Sequence, residues 1–506
     1  MSRRDRSAQA VEHVSVDDRG PVTRTQAGRD IVGQLVFRIA DLALGVVTTL
    51  VLVRSLGDDR FGQWVTIFAV IGLAGSFGLQ GLSNVAIERT AAKPSEGGMW
   101  VGSLVTLRLA LSPFVTFVSL AVCLAIADSR EMRLAAVVAH TILLTGAIAA
   151  ARIVFQLRLR NTTASAVGFA SSAAWGGAVL LIAFLGPSLL AMAIAFAVVT
   201  NATNIWLWYL SRRLYPFRLR GGRSGWRALV SRGLPVAFAS VVTLSYGRID
   251  QVLVFELAGS TQAGLYGAVY RIYDRLQLFP AALMTTLFPV LVAARDSDRE
   301  RVRKVFNTAI DYLILASLPA FTIVLAGSEP LCVLLFGPEF AAAAPALSIL
   351  TASLVVVSLG HLTGYLIISY SLQRAFVAIA LVALFFNVVV NLIFVPRFGF
   401  IAAAWITLAT EVLVLGASMT LLCRKVGVVP LGYHLPGIVS SAAAVGLIAW
   451  GGRLASLPTL VWASLAALAY VPILIVTRSV RLGDIRAIVG RTPKPDQSVG
   501  SGAHER

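Results

Sequence analysis

Apolar windows of about 20 residues recur along nearly the whole of this 506-residue chain, and each can cross a hydrocarbon core of about 30 Å as a helix. They lie near 31–53, 62–86, 99–127, 134–155, 164–186, 188–210, 234–258, 263–292, 306–327, 341–370, 375–396, 399–423, 435–452 and 457–477, which makes fourteen spans. Hydrophobic residues are 57% of the chain and charged residues only 13%, about half the charged share of a soluble domain. The expected fold is an all-α polytopic membrane protein.

The net charge of +18 raises the question of nucleic acid, but its distribution follows topology. With the N-terminus inside, the cytoplasmic segments hold 32 of the 43 Lys and Arg residues, and the opposite side holds six. Without the two tails the ratio is still 20 to 6. This positive-inside bias places both termini in the cytoplasm, and anionic lipid headgroups become the default partner of the basic loops. No aromatic-interleaved basic patch or known module supports nucleic-acid binding. Cys123, Cys332 and Cys423 are isolated in or beside spans, the five histidines lie far apart, and no HExxH occurs. Neither a disulfide framework, a metal site nor a cofactor is expected. Residues 1–30 read as a basic cytoplasmic tail, and 478–506 as a second, disordered one.

Residues 211–233, "SRRLYPFRLRGGRSGWRALVSRG", are the longest link and read as a cytoplasmic linker between two bundles, 31–210 and 234–425. Its "GWRALVSRG" end has the pattern of an amphipathic helix on the membrane surface. An internal repeat supports the division. "VLVRSLGDDRFGQW" at 51–64 and "VLVFELAGSTQAGLY" at 252–266 both read V-L-V-x-x-L, a Gly-containing turn, then Gly-x-aromatic. Two six-helix bundles related by a pseudo-two-fold axis along the membrane normal, around a site near the midplane, are a common plan of secondary transporters. The two extra spans in 435–477 fall outside the repeat.

Four segments carry a family resemblance: "VLVRSLGDDRFGQW", "GLPVAFASVVTLSYGRIDQVLV…AGLYGAVYRI…LFP", "LLFGPEFAAAAPALSIL" and "NVVVNLIFVPRFGFIAAAWITLATE". Together, from about residue 31 to 425, they resemble the polysaccharide transporter family of the MOP flippase superfamily, which includes O-antigen flippases. The family often has Gly-Ala-Ala where this chain has Ala402, Ala403 and Ala404. The resemblance implies a bacterial inner-membrane flippase, not an enzyme. It would move a polyprenyl-pyrophosphate-linked oligosaccharide by alternating access, beside the polymerase and chain-length partners of a polysaccharide export system.

Charges inside spans are costly and so mark candidate sites. "SYGRIDQVLV" at 245–254 places Arg248 and Asp250 in span seven, and Arg271, Asp274 and Arg275 follow in span eight. Equal distances from the turn between these spans bring the five to similar levels, as a cluster with one excess arginine. A guanidinium fork suits phosphate oxygens, although ion pairs that merely lock the hairpin fit the same pattern. Arg38 and Asp41 share a face of span one at i, i+3 spacing. Arg108 in span three has no acid within its own span, so it contacts either a phosphate headgroup or Glu411 of span twelve. Glu411 is itself the candidate ion-coupling site. Tyr266, Tyr270 and Tyr273 form a stripe that suits either sugar stacking or helix packing, and Asn387 with Asn391 suits interhelical hydrogen bonds. Pro280 and Pro289 bracket a bending region in span eight. A drug/cation antiporter would need a more acidic cavity. A membrane polymerase or ligase would need larger external loops, and no GxxxxGK[ST] phosphate loop occurs.

Overall fold

The computed structural model describes residues 24–76, 79–158, 160–219, 222–295, 299–427 and 432–477, so most of both expected tails lies outside the described residues. Among the described residues there are helices and no strand. In chain order the main helices are α1 (Arg24–Ser76), α2 (Leu79–Ala92), α3 (Gly97–Ile126), α4 (Arg130–Ile148), α5 (Ile153–Leu157), α6 (Asn161–Leu185), α7 (Leu189–Leu214) and α8 (Arg223–Tyr246). They continue with α9 (Ile249–Ala258), α10 (Ser260–Leu276), α11 (Leu278–Arg295), α12 (Arg299–Phe336), α13 (Ala344–Ser369), α14 (Gln373–Val426), α15 (Leu435–Leu454) and α16 (Thr459–Val476). Eleven helical stretches among the described residues are long and apolar enough to cross a membrane. Large apolar side chains point outward, with Phe184 at 89% and Val476 at 81% exposure, while Asn307, Asn391 and Asp250 are buried. That inversion suits lipid as the surrounding solvent.

Two pairs of expected spans run as single long helices. Spans one and two join in α1 across Gly57 (φ 70°), and spans eleven and twelve join in α14 across Gly399 (φ 62°). Both values fall in the left-handed region that only glycine adopts cheaply, so the chain turns at one residue instead of a loop. Beyond Gly399, the freed amide of Phe400 donates to Gln262 Oε1 at 3.0 Å. Two other spans are broken instead. Span seven stops at Tyr246, passes Gly247 and the non-helical Arg248, and restarts as α9. Span eight is interrupted at Gln277, just before the Pro280 expected to loosen it.

The described residues pack as two compact units: those within 1–268, 335–339 and 380–406 form one, and those within 269–334, 340–379 and 407–506 the other. The division falls inside α10 and not in the 211–233 linker. The first unit is centred on Trp100, Val101, Leu104 and Val154, with Phe217 and Leu229 from the linker region. The linker is a strap lying on α3. Tyr215 donates to the Pro94 carbonyl at 3.0 Å, and Trp226 Nε1 donates to Thr106 Oγ1 at 3.1 Å. Burial pushes the Tyr215 hydroxyl above its ordinary pKa, against the charge of Arg158, so it remains a donor. Residues 225–233 are accordingly the first turns of α8, with Leu229 fully buried, and not a separate surface helix.

The repeated Gly-x-aromatic motif makes a reciprocal crossing within the first unit. A Cβ on Gly62 would collide with the Ser260 carbonyl, and one on Gly264 would collide with the Asp58 carbonyl. Ser260 also bonds Asp59, Gln63 Nε2 donates to Asp128 at 3.0 Å, and Arg60 pairs with Glu131 at 3.7 Å. In the second unit, α15 and α16 clamp α12. Asp311 accepts from the amides of Tyr433 (2.9 Å) and His434 (3.1 Å), and Tyr470 donates to the Leu315 carbonyl at 2.7 Å. Where α12 kinks at Gly327, Arg453 Nη1 donates to the Ala326 carbonyl at 3.0 Å and Trp462 covers the glycine.

Two outcomes follow from this packing. Gly264→Val drives a side chain into the Asp58 backbone and should cost about 1–3 kcal/mol. Gly72→Ala, where nothing lies within 4 Å, should not destabilise. Thermal unfolding in detergent measures both, and equal midpoints for Gly264→Val and wild type would refute the crossing. The second concerns Asp30, whose carboxylate accepts from the Asn161 and Thr162 amides at 3.0 and 2.8 Å at the start of α6. Burial opposes its ionisation, but these bonds outweigh it and hold the carboxyl below its ordinary pKa of 3.8. Its contribution is therefore complete above the ordinary value and lost as pH falls through the lower folded value. Asp30→Asn should remove that acid-side dependence, seen as a flatter plot of unfolding midpoint against pH.

Candidate functional site

Residues of the expected five-charge cluster stand in different compact units. Arg248 and Asp250 belong to the first, and Arg271, Asp274 and Arg275, all half-buried on α10, to the second. Asp250 is buried. It sits in the first turn of α9, where an acid complements the helix dipole. Its Oδ1 accepts from the Gln251 amide at 2.9 Å, and its Oδ2 accepts from the Tyr266 hydroxyl at 2.6 Å. The break at Gly247–Arg248 exposes the helix end that Asp250 occupies. Discontinuous helices with charged groups at their new ends are a recurrent feature of transporter sites.

The tyrosine stripe is core, not a sugar-stacking wall. Tyr266, Tyr270 and Tyr273 are all buried, and Tyr270 meets Tyr273 edge to face at 5.3 Å. Arg38 is exposed and Asp41 half-buried on α1. Among the described residues they form no ion pair with each other, and Asp41 Oδ1 is buried with no hydrogen-bond partner. Shared helical face alone does not bring a long and a short side chain together. Asn391 Nδ2 bonds Asn387 of the same helix at 3.0 Å, so this contact is within α14, not between helices. Glu411 is buried in the second unit, while Arg108 belongs to the first.

Arg108 has the most informative surroundings. It is half-buried on α3, and its Nη2 donates to Ser83 Oγ of α2 at 3.3 Å. Arg152, exposed in the 3-10 turn after α4, adds a second positive charge in the same region of the first unit. Guanidinium forks of this kind suit the oxygens of a phosphate or diphosphate.

Sequence reasoning passed over Arg152 and Ser83. Arg152 reads as one more cytoplasmic residue at the end of span four, and Ser83 as an ordinary serine near the end of span two. No linear spacing signals their proximity to Arg108, which depends on how α2, α3 and the α4 end pack. The partnership of Tyr266 with Asp250 was likewise invisible, although 16 residues on two helices joined by a short turn made it reachable.

A family model described as polysaccharide biosynthesis protein matches residues 51–345. The probable low-salt glycan biosynthesis flippase Agl15 of Haloferax volcanii is 21% identical over 356 residues, which is 69% of this chain and 74% of that protein. Among solved structures, the lipid II flippase MurJ in an inward closed conformation superposes with a TM-score of 0.72 at 13% identity, covering 89% of this chain and 99% of that one. An inward-facing multidrug resistance MATE family transporter of the MOP superfamily reaches 0.59 at 16% identity, covering 76% and 94%. These structural likenesses place the fold among such transporters.

The Asp250 contact can be tested directly. Tyr266→Phe removes a hydrogen bond to a buried carboxylate and should destabilise by about 1–3 kcal/mol. A double-mutant cycle with Asp250→Asn, read by thermal unfolding, should show the two losses to be strongly non-additive; simple additivity would mean the contact carries no energy.

Proposed function

This chain belongs to the polysaccharide biosynthesis protein family, and on that basis we propose that it is a lipid-linked glycan flippase of the bacterial cytoplasmic membrane. It is a multi-pass transporter and not an enzyme. The substrate is an oligosaccharide joined by pyrophosphate to a polyprenyl lipid, and the glycan and diphosphate cross through a polar cavity while the lipid tail stays in the bilayer. The single observation that carries this reading is Arg108 inside span three, with Ser83 Oγ at 3.3 Å and the positive charge of Arg152 in the same region. A cation antiporter would need acids where these two arginines stand.

Transport proceeds by alternating access. With both termini in the cytoplasm, the arginine pair lies toward the cytoplasmic face, where the lipid-linked glycan is made. The reciprocal crossing of Gly62 and Gly264, with Asp59, Arg60 and Gln63 beside it, then lies at the outer face and closes it. Opening outward requires that crossing to part. Glycine turns at Gly57 and Gly399, and the breaks at Gly247 and Gln277, supply places where helices change direction without unfolding.

The test replaces Arg108 and Arg152 separately with Gln, at matched membrane levels, and measures lipid-linked oligosaccharide reaching the outer leaflet. Losing a charge-assisted contact of about 1.5–3 kcal/mol should slow transport roughly ten- to a hundredfold. Arg108→Lys should recover part of it, because charge returns without the planar fork. Normal transport by both folded Gln variants would sink the reading.

A further inference from the structure

A second set of polar side chains, one turn apart along α4 and α7, lies within the first unit. Asn201 Nδ2 donates to Thr141 Oγ1 at 2.9 Å, Thr145 Oγ1 donates to Asn201 Oδ1 at 2.5 Å, and Asn204 Nδ2 donates to Thr145 Oγ1 at 3.0 Å. On the neighbouring α6, Ser171 accepts from Thr203 Oγ1 at 2.8 Å. At 1.5 Å per residue from the Arg130 end of α4, Thr141 and Thr145 lie about 16 and 22 Å along the axis. Asn201 and Asn204 lie about 18 and 22 Å from the start of α7. All four are therefore well inside a core about 30 Å thick.

This ladder is not sealed. Thr141 is exposed, and Thr145, Asn201 and Asn204 are half-buried. An amide carries two N–H donors and an oxygen with two lone pairs, and Asn204 Oδ1 has no partner among the described residues. Accessible, unspent hydrogen-bonding capacity at mid-span is costly against hydrocarbon and inexpensive against a hydrated cavity. One turn beyond Ser171 on α6 stands the half-buried Trp175, stacked on Trp64 at 5.6 Å and edge-on to Phe196 at 5.1 Å. Neutral amides and hydroxyls bordered by an aromatic wall match the two surfaces of a sugar, its hydroxyl rim and its C–H face.

The ladder also stands at a suitable distance from the arginine pair. Arg152 follows Thr145 by seven residues of continuous helical chain, about 10 Å farther along. A diphosphate held there would carry its first sugars toward Thr145 and Asn204. We propose that Thr141, Thr145, Asn201 and Asn204 form a glycan subsite, bordered by Trp175, that binds hydroxyls of the translocated oligosaccharide. This rests on the flippase reading and assigns the part of the substrate that the arginines do not hold.

The experiment measures binding to the full-length protein in nanodiscs with two probes: synthetic undecaprenyl diphosphate, and the lipid-linked oligosaccharide fraction of the source cells. Asn204→Ala and Thr145→Val should each weaken the glycan-bearing lipid about three- to tenfold and leave the sugar-free lipid unchanged. Arg108→Gln should weaken both. If wild type binds the two probes equally tightly, or if the ladder variants weaken both alike with a falling unfolding midpoint, the ladder is interhelical glue and the subsite is refuted while the flippase reading stands. Wild-type protein that binds neither probe overturns the flippase reading, and the subsite with it.

Discussion

A bilayer core supplies no water to a broken helix or a buried charge, so a departure from a plain apolar helix is met by a partner within the protein or by a water-filled cavity. That single constraint organises this chain. Phe400, released by the turn at Gly399, donates to Gln262. The Ala326 carbonyl, at the kink of α12, receives Arg453. Asp250, placed at a new helix end by the break before it, receives Tyr266 and its own neighbouring amide. The irregular points are therefore also where distant segments are tied together.

The last two helices illustrate what that constraint achieves. They lie outside the internal repeat, and their sequence suggests nothing beyond two more spans. In the structure they hold α12 at Asp311, Leu315, Ala326 and Gly327, through its middle. The Ala326 carbonyl beside the kink is thereby paired. The first unit uses the opposite device: Gly62 and Gly264 bring backbones together with no side chain between them. Such a contact is tight when made and leaves no bulky group to disengage when it parts.

The first unit holds two arginines, a set of bonded amides and hydroxyls, and an aromatic group of Trp64, Trp175 and Phe196. On the proposed reading, a diphosphate meets the arginines and sugars meet the amides and hydroxyls.

Apolar length, the lysine and arginine bias of the loops and the repeated V-L-V…Gly-x-aromatic motif are properties of the chain in one dimension. From them alone came the membrane class, the all-helical fold and the approximate spans. Which groups the charged residues meet was not legible there. The azimuth of a helix, and the level at which it crosses its neighbour, decide whether Arg38 reaches Asp41, whether three tyrosines face a cavity or a core, and whether Arg152 lies in the region of Arg108. Those quantities are set jointly by many weak contacts along several helices, so spacing within one helix does not encode them. The same holds for the polar ladder: "TNATN" at 200–204 is visible in the sequence, but its hydrogen bonds to Thr145 depend on packing against α4.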